Sequence, residues 1–452
     1  MHKWSPLVAV CLGTFLLLVD VTVVVVALPD ISTSLGAGDD DLQWVLDGYA
    51  LALAALLLGA GSLADRYGRR LTYLIGLLIF ALASLACALA PTVGLLIGAR
   101  VVQGIGGAAM FATTAALLNV TYQGKDRGVA FGVWGAVNGA AAAAGPIAGG
   151  LLTEHLGWHW IFLVNLPICV LAAWFTLRGV AESKAPWGGR FDVPGTVAFT
   201  VSAGAVVYGL ISASADGWAA GSTLTAFAAG LIGFVVFIVV ERRSDHPMLD
   251  LGLFRRRSFS SLIAAAFLTQ AAAFAVMPYT TVWLQRILGH GPVDAGLLGA
   301  LPMSLASLVV GVFAGRALQR VPARWTVGIG LLLIAAGDLM QTRVSPDADG
   351  DVLMMGLIVV GLGVGVVLPT LSSAVLGEVP RERSGMAGGA LNAFRQLGFA
   401  FGVAVLGTVF GGVYTDGLDA ALRLAAGMAL LGSVVVLVLC RNPSRVSAPA
   451  HA

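Results

Sequence analysis

The sequence has 452 residues, of which 58% are hydrophobic and only 11% are charged, and its formal net charge is +2. This composition lies outside the range of soluble proteins and indicates a polytopic membrane protein. The small net charge gives no reason to expect a nucleic-acid partner. The four cysteines lie within apolar segments without metal-ligand spacing, so we expect neither a metal site nor a disulfide scaffold.

Fourteen apolar segments follow one another along the chain. Each is about long enough to cross the hydrocarbon layer of a bilayer as a helix, the element that satisfies its own backbone in lipid. Their approximate bounds are 7–28, 44–64, 71–90, 94–118, 129–152, 160–178, 193–213, 221–240, 259–285, 295–315, 325–343, 352–376, 386–413 and 419–440. The sequence therefore predicts an all-α polytopic fold of fourteen transmembrane helices, with both termini on one side.

The distribution of Lys and Arg predicts which side that is. Most of the 26 Lys and Arg residues lie in the N-terminal region, the even-numbered loops and the C-terminal region. Cytoplasmic loops carry such an excess. We therefore expect a multi-pass protein of the cell membrane with both termini in the cytoplasm.

An internal repeat divides the chain into two halves. Four landmarks recur at a constant offset of 257 residues: Gly104 at Gly361, Gly106 at Gly363, Thr113 at Thr370, and Gly128 at Gly385. The sequence predicts an N-terminal six-helix half (1–180), two inserted helices with their flanking cytoplasmic loops (181–258) and a C-terminal six-helix half (259–452). Parallel halves of this kind form the central site of many secondary transporters.

Asp20 places a carboxylate in the middle of the first apolar segment. Its insertion costs on the order of 2.5 kcal/mol or more, which usually marks a function. A purely structural role, with the carboxylate satisfied by a polar neighbour, is the less favoured interpretation; proton or cation binding is favoured. Arg100 lies at a similar depth in segment four. Asp47 and Asp338 lie nearer the outer ends of their segments, where interfacial solvation is favoured over proton transfer, and Asp47 is the next proton candidate.

A charged, glycine-containing loop joins segments two and three. Its glycines allow a tight turn, and Asp65 lies on the same side as the start of segment thirteen, where a helix N-terminus would attract a carboxylate. We expect that contact to latch the cytoplasmic side shut. The latch residues are Gly61, Asp65, Arg66, Gly68, Arg69 and Arg70.

These residues resemble the G-x-L-A-D-R-x-G-R signature of the major facilitator superfamily, and further motifs resemble its fourteen-helix drug:proton antiporter branch. The first-helix motif around Asp20 is similar except that Val25 replaces an Asn, and His159 replaces an Arg in the G-W-R-W-I-F motif. Arg100 to Gly106 match R-x-x-Q-G-x-G. The resemblance implies the major facilitator fold, in which the helices of Asp20 and Arg100 are neighbours that line the central cavity, so we expect these two residues to pair and to couple proton binding. Gly145, Pro146, Gly149 and Gly150 match the antiporter motif, in which we expect Pro146 to form a kink.

A substrate cavity is expected between the two halves. Phe267, Gln270, Phe274 and Met277 form a stripe on segment nine that fits core packing and a cavity wall equally well. The resemblance implies that this helix lines the cavity. The further cavity candidates are Asn138, Asn392, Arg395 and Gln396.

The predicted function is proton-coupled antiport that exports lipophilic, monovalent cationic or neutral compounds by alternating access. No cofactor beyond the proton gradient is expected, and the partners are the bilayer, protons and the substrate, with the protein acting as a monomer. The sequence contains no phosphate-binding loop, nucleophile elbow or His-Glu metal pair, so we do not expect an enzyme. The alternatives are a proton symporter for a small polar solute, disfavoured by Gly145 and Pro146, and a non-transporting membrane sensor, which would need a soluble signalling domain.

Overall fold

Helices make up the regular structure of the computed structural model, which describes residues 3–184, 192–245, 247–318, 321–342, 352–410 and 414–440. The α-helices are α1 (Ser5–Leu35), α2 (Asp39–Tyr67), α3 (Arg69–Ala88), α4 (Val93–Thr121), α5 (Gly124–Leu156), α6 (Trp160–Leu163), α7 (Asn165–Gly179), α8 (Val193–Ala215), α9 (Gly221–Arg243), α10 (Arg257–Thr269), α11 (Met277–Arg286), α12 (Pro292–Gly299), α13 (Leu301–Leu318), α14 (Ala323–Met340), α15 (Val352–Gly377), α16 (Ser384–Phe410) and α17 (Tyr414–Leu439). Leu251–Arg255 form a 3-10 helix, and Gln270–Phe274 form a π-helical turn between α10 and α11.

The number of helices that can cross a membrane differs from the expectation. In the described ranges, twelve helices are long and apolar enough to span a bilayer, so the predicted fourteen spans are not confirmed. The helices of segments five and ten do not qualify. α5 is 33 residues long. Segment ten is divided at Ala300 into α12 and α13, and in the described part of the chain Leu301–Gly311 counts as a shorter apolar helix.

The helices pack as two groups joined by a few close helix pairs. In the first group α2 and α3 pack against α4, while α1 packs against α5 and α7; in the second, α15 packs against α13 and α14, and α14 packs against α17. The groups meet where α5 contacts α13 and where α16 contacts α2 and α4. α8 and α9 pack against each other, and α8 also contacts α2 and α16, so the inserted pair lies beside the boundary between the groups.

Backbone-close contacts hold the two groups together at the α2–α16 crossing. A Cβ atom on Gly61 would collide with the carbonyl oxygen of Gly385 and lie 3.1 Å from Gly389 Cα. A Cβ on Gly389 would lie 2.8 Å from the carbonyl oxygen of Leu57. Only residues without a side chain allow helices to approach this closely, as at other small-residue helix crossings in membranes.

Candidate functional site

The carboxylate of Asp20 lies in a fully enclosed polar cluster. Its Oδ2 accepts a hydrogen bond from Arg100 Nη1 at 2.5 Å, and its Oδ1 accepts from Gln103 Nε2 and from Asn165 Nδ2, both at 2.9 Å. Ser84 Oγ accepts from the same two amides, at 2.9 and 3.2 Å. None of the five side chains is more than 3% exposed. The cluster therefore neutralises and fully hydrogen-bonds an ionised carboxylate without water.

Arg100 has partners besides Asp20. Its Nε donates to the carbonyl oxygen of Val45 at 3.0 Å, and its Nη1 also donates to Gln103 Oε1 at 2.6 Å. The guanidinium lies 4.3 Å from the ring centre of Tyr49 and 5.9 Å from that of Phe162. A cation over aromatic faces is stabilised by about 2 kcal/mol when desolvated. The guanidinium therefore keeps several contacts that do not depend on the charge of Asp20.

The cluster lies inside the first group of helices and not between the two groups. Asp20 comes from α1, Arg100 from α4, Ser84 from α3 and Asn165 from α7, and all four helices belong to that group. The expectation that Asp20 and Arg100 line the central cavity is therefore wrong for this conformation. The physical reason is the close α3–α4 packing, which turns the polar face of α4 toward α1 and α3.

The glycines of the antiporter motif pack α5 onto α1 next to Asp20. A Cβ atom on Gly145 would overlap Thr22 Oγ1, and one on Gly149 would lie 2.9 Å from the carbonyl oxygen of Val23. Gly150 follows on the same helix. α5 continues through Pro146, whose side chain lies outside the described part of the structure. α5 is therefore in direct backbone-close contact with the part of α1 that carries Asp20.

Asp65 joins the two groups of helices. Its Oδ1 accepts from Arg69 Nη2 at 2.6 Å and from the backbone N–H of Gly385 at 2.8 Å, and its Oδ2 accepts from the N–H of Met386 at 2.7 Å. Arg69 Nη2 also donates to the carbonyl oxygen of Glu382 at 2.9 Å. The carboxylate thus caps the N-terminus of α16, where free N–H groups and the helix dipole favour a negative charge. We call these five residues the Asp65 network.

The turn between α2 and α3 depends on Gly68. Its φ of 129° is a conformation that other residues rarely adopt, and a Cβ there would lie 2.6 Å from Glu182 Cδ. Glu182 accepts from the backbone N–H groups of Arg70 and Leu71 at 3.1 and 3.0 Å, which ties the segment after α7 to the start of α3. The guanidinium of Arg66 lies 5.3 Å from the centre of the Tyr67 ring.

A cavity of about 270 Å³ lies beside the Asp65 network. Two contacts cross it: Arg383 Nη1 to Asp250 Oδ2 at 2.9 Å, and Arg256 Nη1 to the carbonyl oxygen of Glu378 at 3.1 Å. Burial raises the pKa of Glu378, and the charge of Arg256 acts in the opposite direction. These contacts tie the α15–α16 connection to the segment that precedes α10.

Two of the cavity candidates contact the opposite group of helices. Asn392 Nδ2 on α16 donates to the carbonyl oxygen of Phe111 on α4 at 3.0 Å. Arg395 is buried, lies 5.8 Å from the Phe111 ring and contacts Asn392 Oδ1 at 3.4 Å, and its Nε has no partner among the described residues. Asn138 instead donates to the carbonyl oxygen of Trp134 on its own helix, at 2.7 Å. Gln396, next to Arg395, is half-buried.

The predicted stripe on segment nine is interrupted. The π-helical turn begins at Gln270, and the chain leaves regular helix before Met277, so a spacing of 3.6 residues per turn is not kept. Phe267 packs against Phe401, with ring centres 5.3 Å apart. Phe274 and Met277 are partly buried against the core, and Gln270 Oε1 is buried without a hydrogen-bond partner in the described part of the chain.

The two remaining acids differ from each other. Asp47 is half-buried and lies on a different face of α2 from Val45 and Tyr49. Asp338 on α14 is 0% exposed, and neither of its oxygens has a partner among the described residues. Interfacial solvation is therefore the wrong interpretation for Asp338.

Sequence reasoning did not identify three members of the Asp20 cluster: Ser84, Gln103 and Asn165. Gln103 follows Arg100 by three residues and so shares its helix face, which is a usable signal. Ser84 and Asn165 are single polar residues whose direction depends on helix rotation. In the described ranges no three His, Cys, Asp or Glu residues come together as metal ligands.

Comparisons with known proteins agree with this architecture. Multidrug resistance protein Stp of Mycobacterium tuberculosis is 38% identical over 404 residues, which cover 89% of this chain and 75% of the relative. Puromycin resistance protein pur8 of Streptomyces alboniger is 35% identical, and the match covers 97% of this chain and 91% of the relative. Multidrug efflux pump LfrA of Mycolicibacterium smegmatis is 34% identical, and the match covers 92% of this chain and 83% of the relative.

A solved structure and a family model complete the comparison. The human organic anion transporter MFSD10 superposes with a TM-score of 0.71 over 96% of this chain and 100% of that one, and its 18% sequence identity makes this a likeness of fold. A model of the Major Facilitator Superfamily matches residues 10–403 and 262–451. With its two packed helix groups and, in the described ranges, its twelve candidate spans, this chain is a multi-pass membrane protein whose relatives point to a transporter rather than an enzyme, and it belongs to the Major Facilitator Superfamily.

Proposed function

We propose that this protein is a proton-coupled antiporter that exports lipophilic compounds, neutral or monovalent cationic, by alternating access. The observation that carries the proposal is the buried Asp20–Arg100 pair, held at 2.5 Å next to the glycine contacts of α5. An intramembrane carboxylate paired with a cation in one enclosed cluster is typical of proton pathways. The names of the relatives, which refer to multidrug resistance, antibiotic resistance and efflux, support export of such compounds.

The proposed topology has fourteen spans. Besides the twelve candidates, α5 is 33 residues long, and α12 together with α13 gives a further helical segment long enough to cross. Both termini and the Asp65 network then lie on the cytoplasmic side, where Lys and Arg are in excess. We propose that the protein works in the cell membrane as a monomer.

Proton binding changes the contacts of Arg100. A guanidinium stays charged in proteins, so a proton on Asp20 removes the anion that Arg100 faces. Removing one partner of a buried ion pair costs about 3–5 kcal/mol if nothing else moves. The contacts with Val45, Gln103 and Tyr49 reduce this cost by holding the cation in place. Because Arg100 stays in place on α4 and no longer attracts the protonated Asp20 of α1, protonation favours a shift of α1 away from α4.

The shift of α1 is passed on by α5. Gly145 and Gly149 hold α5 against α1, and α5 packs against α13 of the other half. Rearrangement at Asp20 thus reaches the boundary between the halves, where the substrate would bind near Asn392 and Arg395. One charge moved through 100 mV supplies about 2.3 kcal/mol for the cycle.

The test uses purified protein and the lipophilic monovalent cation tetraphenylphosphonium. Its addition to the wild type should release protons into weakly buffered solution, and the Asp20→Asn variant should release none at the Asp20 site and lose gradient-driven export. Asp20→Glu should keep part of both activities. Asp30→Asn changes an exposed acid on the same helix and serves as the control. Normal proton release by Asp20→Asn would assign coupling elsewhere, with Asp47 the next candidate, and uptake in place of export would favour a symporter.

A further inference from the structure

Two helix pairs, one in each half, pack in the same way. A Cβ atom on Gly106 of α4 would lie 2.8 Å from the carbonyl oxygen of Gly76 on α3. A Cβ on Gly363 of α15 would lie 2.6 Å from the carbonyl oxygen of Gly330 on α14. The α14–α15 pair is therefore the structural repeat of the α3–α4 pair, and positions in the two pairs can be equated.

A second contact fixes the register of this repeat. The same two Cβ atoms would lie 2.7 Å from the backbone nitrogen of Phe80 and 3.0 Å from that of Ile334, four residues after Gly76 and Gly330 respectively. Because both glycines meet the same two backbone positions, neither helix is shifted by a residue. The register can be extended along α3 and α14 by counting residues.

Extension by two helical turns brings Ser84 and Asp338 to the same position. Each lies eight residues after the glycine of its helix, Gly76 or Gly330. Ser84 is the hydroxyl that completes the Asp20 cluster. The second half thus has a carboxyl group at the position where the first half has part of its proposed proton site. The neighbouring helices differ in these positions: α15 has the apolar residues Leu357 and Val360 where α4 has Arg100 and Gln103 of the Asp20 cluster.

Asp338 is enclosed without a hydrogen-bond partner. It is 0% exposed, and both carboxyl oxygens lack a donor among the described residues. Gln341, one turn further along the helix, is also 0% exposed, and its Oε1 lacks a donor while its Nε2 binds the carbonyl oxygen of Gly337 at 3.1 Å. Two buried acceptors on one helix face therefore need a donor, and a protonated carboxyl group supplies one.

In the described ranges, no charged group on the elements packed against α14 supplies the hydrogen-bond donor that Asp338 and Gln341 lack. α14 packs against α15, α17 and the π-helical turn. α15 and that turn contain no titratable residue. α17 carries Asp416, Asp419 and Arg423 near its start; Arg423 pairs with Asp419 at 2.5 Å and is 66% exposed. On α14 itself, Arg324 lies near the opposite end, so Asp338 has no cation beside it in the described ranges.

We propose that Asp338 is a second proton-binding site, equivalent by internal symmetry to the position of Ser84, which holds a proton in this conformation and releases it in another. An ionised carboxylate without a partner is strongly disfavoured in a membrane interior, so the proton binds when the site is enclosed. When α14 moves relative to α17 and water enters, the carboxyl group loses its proton to that water and becomes a carboxylate. The exchange during transport rests on the proposed antiport, whereas the protonation itself does not.

Infrared spectroscopy of the purified protein tests the protonation. At neutral pH, the spectrum of the wild type minus that of Asp338→Asn should contain the carbonyl-stretch band of a protonated carboxylic acid. Asp338→Glu should keep such a band at a shifted frequency, and Asp416→Asn, which changes an exposed acid on the neighbouring helix, should leave it unchanged. A difference spectrum with the bands of an ionised carboxylate would overturn the proposal. Because the Glu variant preserves the carboxyl group, it separates this result from misfolding of the Asn variant.

The proton count per exported cation tests the exchange. In proteoliposomes, the gradient that just balances tetraphenylphosphonium export gives the number of protons exchanged per cation. This number should fall by half in Asp338→Asn and stay unchanged in Asp416→Asn; an unchanged number in Asp338→Asn would overturn exchange at this site. If the wild type itself shows no dependence on the proton gradient, the proposed antiport fails, and the infrared result still decides whether Asp338 holds a proton.

Discussion

Replacement of Asp65 by Asn should open the contact between the two halves. The carboxylate accepts two hydrogen bonds from the other half, from the N–H groups of Gly385 and Met386 at 2.8 and 2.7 Å. Hydrogen bonds to a charged group contribute about 1.5–3 kcal/mol each. An Asn side chain has one acceptor oxygen and no charge, so it retains at most one weaker bond and no longer neutralises Arg69.

The expected loss can be converted into a population change. A net loss of about 3 kcal/mol, against 1.4 kcal/mol for each factor of ten, shifts the population ratio of joined to separated helix ends at Asp65 by roughly 100-fold. Transport should fall severely because the cycle no longer passes efficiently through the joined state. Substrate affinity should change little, since Asp65 lies outside the proposed cavity.

Spin labels at the helix ends near Asp65 measure this directly. Gln123 and Gly377 are both exposed and lie in different halves. A Cβ atom at Gly377 would meet no other atom within 4 Å, so a label fits there. In a background without the native cysteines, pulsed electron-spin distance measurements on Gln123→Cys with Gly377→Cys should give a short distance, and Asp65→Asn should shift it to longer values. Asp126→Asn removes an exposed ion pair within one half and is the control. A short distance retained in an inactive Asp65→Asn variant would refute the latch.

Three further outcomes are expected. In a melting assay, Gly145→Ala should lose about 1–3 kcal/mol of stability through overpacking, because the added Cβ overlaps Thr22 Oγ1, and it should also impair export. Adding Thr22→Ala should restore part of the stability and part of the export. Gly98→Ala is the control and should change neither, because a Cβ at Gly98 meets no other atom. Export assays should show monovalent or neutral compounds leaving faster than a rigid dication, and efficient dication export would contradict the proposed cavity. Burial raises the pKa of Glu378, so its contribution to stability is present at low pH and is lost as the pH rises through that raised pKa. Glu378→Gln should therefore melt slightly above the wild type at neutral pH and together with it in acid; the reverse order would show that the favourable effect of Arg256 is larger.

Contacts made by short motifs could be predicted from the sequence. The position of Asp65 at the start of α16 follows from two local facts, a carboxylate in a tight loop and a helix N-terminus on the same side. The nearness of Asp20 and Arg100 follows from their similar depth together with the resemblance to the superfamily, which implies that their helices are neighbours. Both predictions use distance along the membrane normal, which a sequence records as a residue count.

Contacts that depend on helix rotation could not be predicted in the same way. The enclosure of Asp20 depends on which face of α4 meets α3, which the packing of Gly106 decides. The stripe from Phe267 to Met277 assumed a constant helical period, and the π-helical turn at Gln270 changes that period. The count of spans was made from apolar composition, which does not reveal the break at Ala300 that divides segment ten into α12 and α13.

The crossing of α2 and α16 has a consequence for how such a protein can diversify. The two halves meet there through main-chain atoms at Gly61, Gly385 and Gly389, with Asp65 as the principal side chain. The proposed cavity residues Asn392 and Arg395 lie further along α16 and contact Phe111 of α4, whereas the joint is formed with α2. If the proposed cavity is the binding site, side chains there can change while the main-chain joint at α2 and α16 stays the same, and one mechanical frame can serve chemically different cargoes.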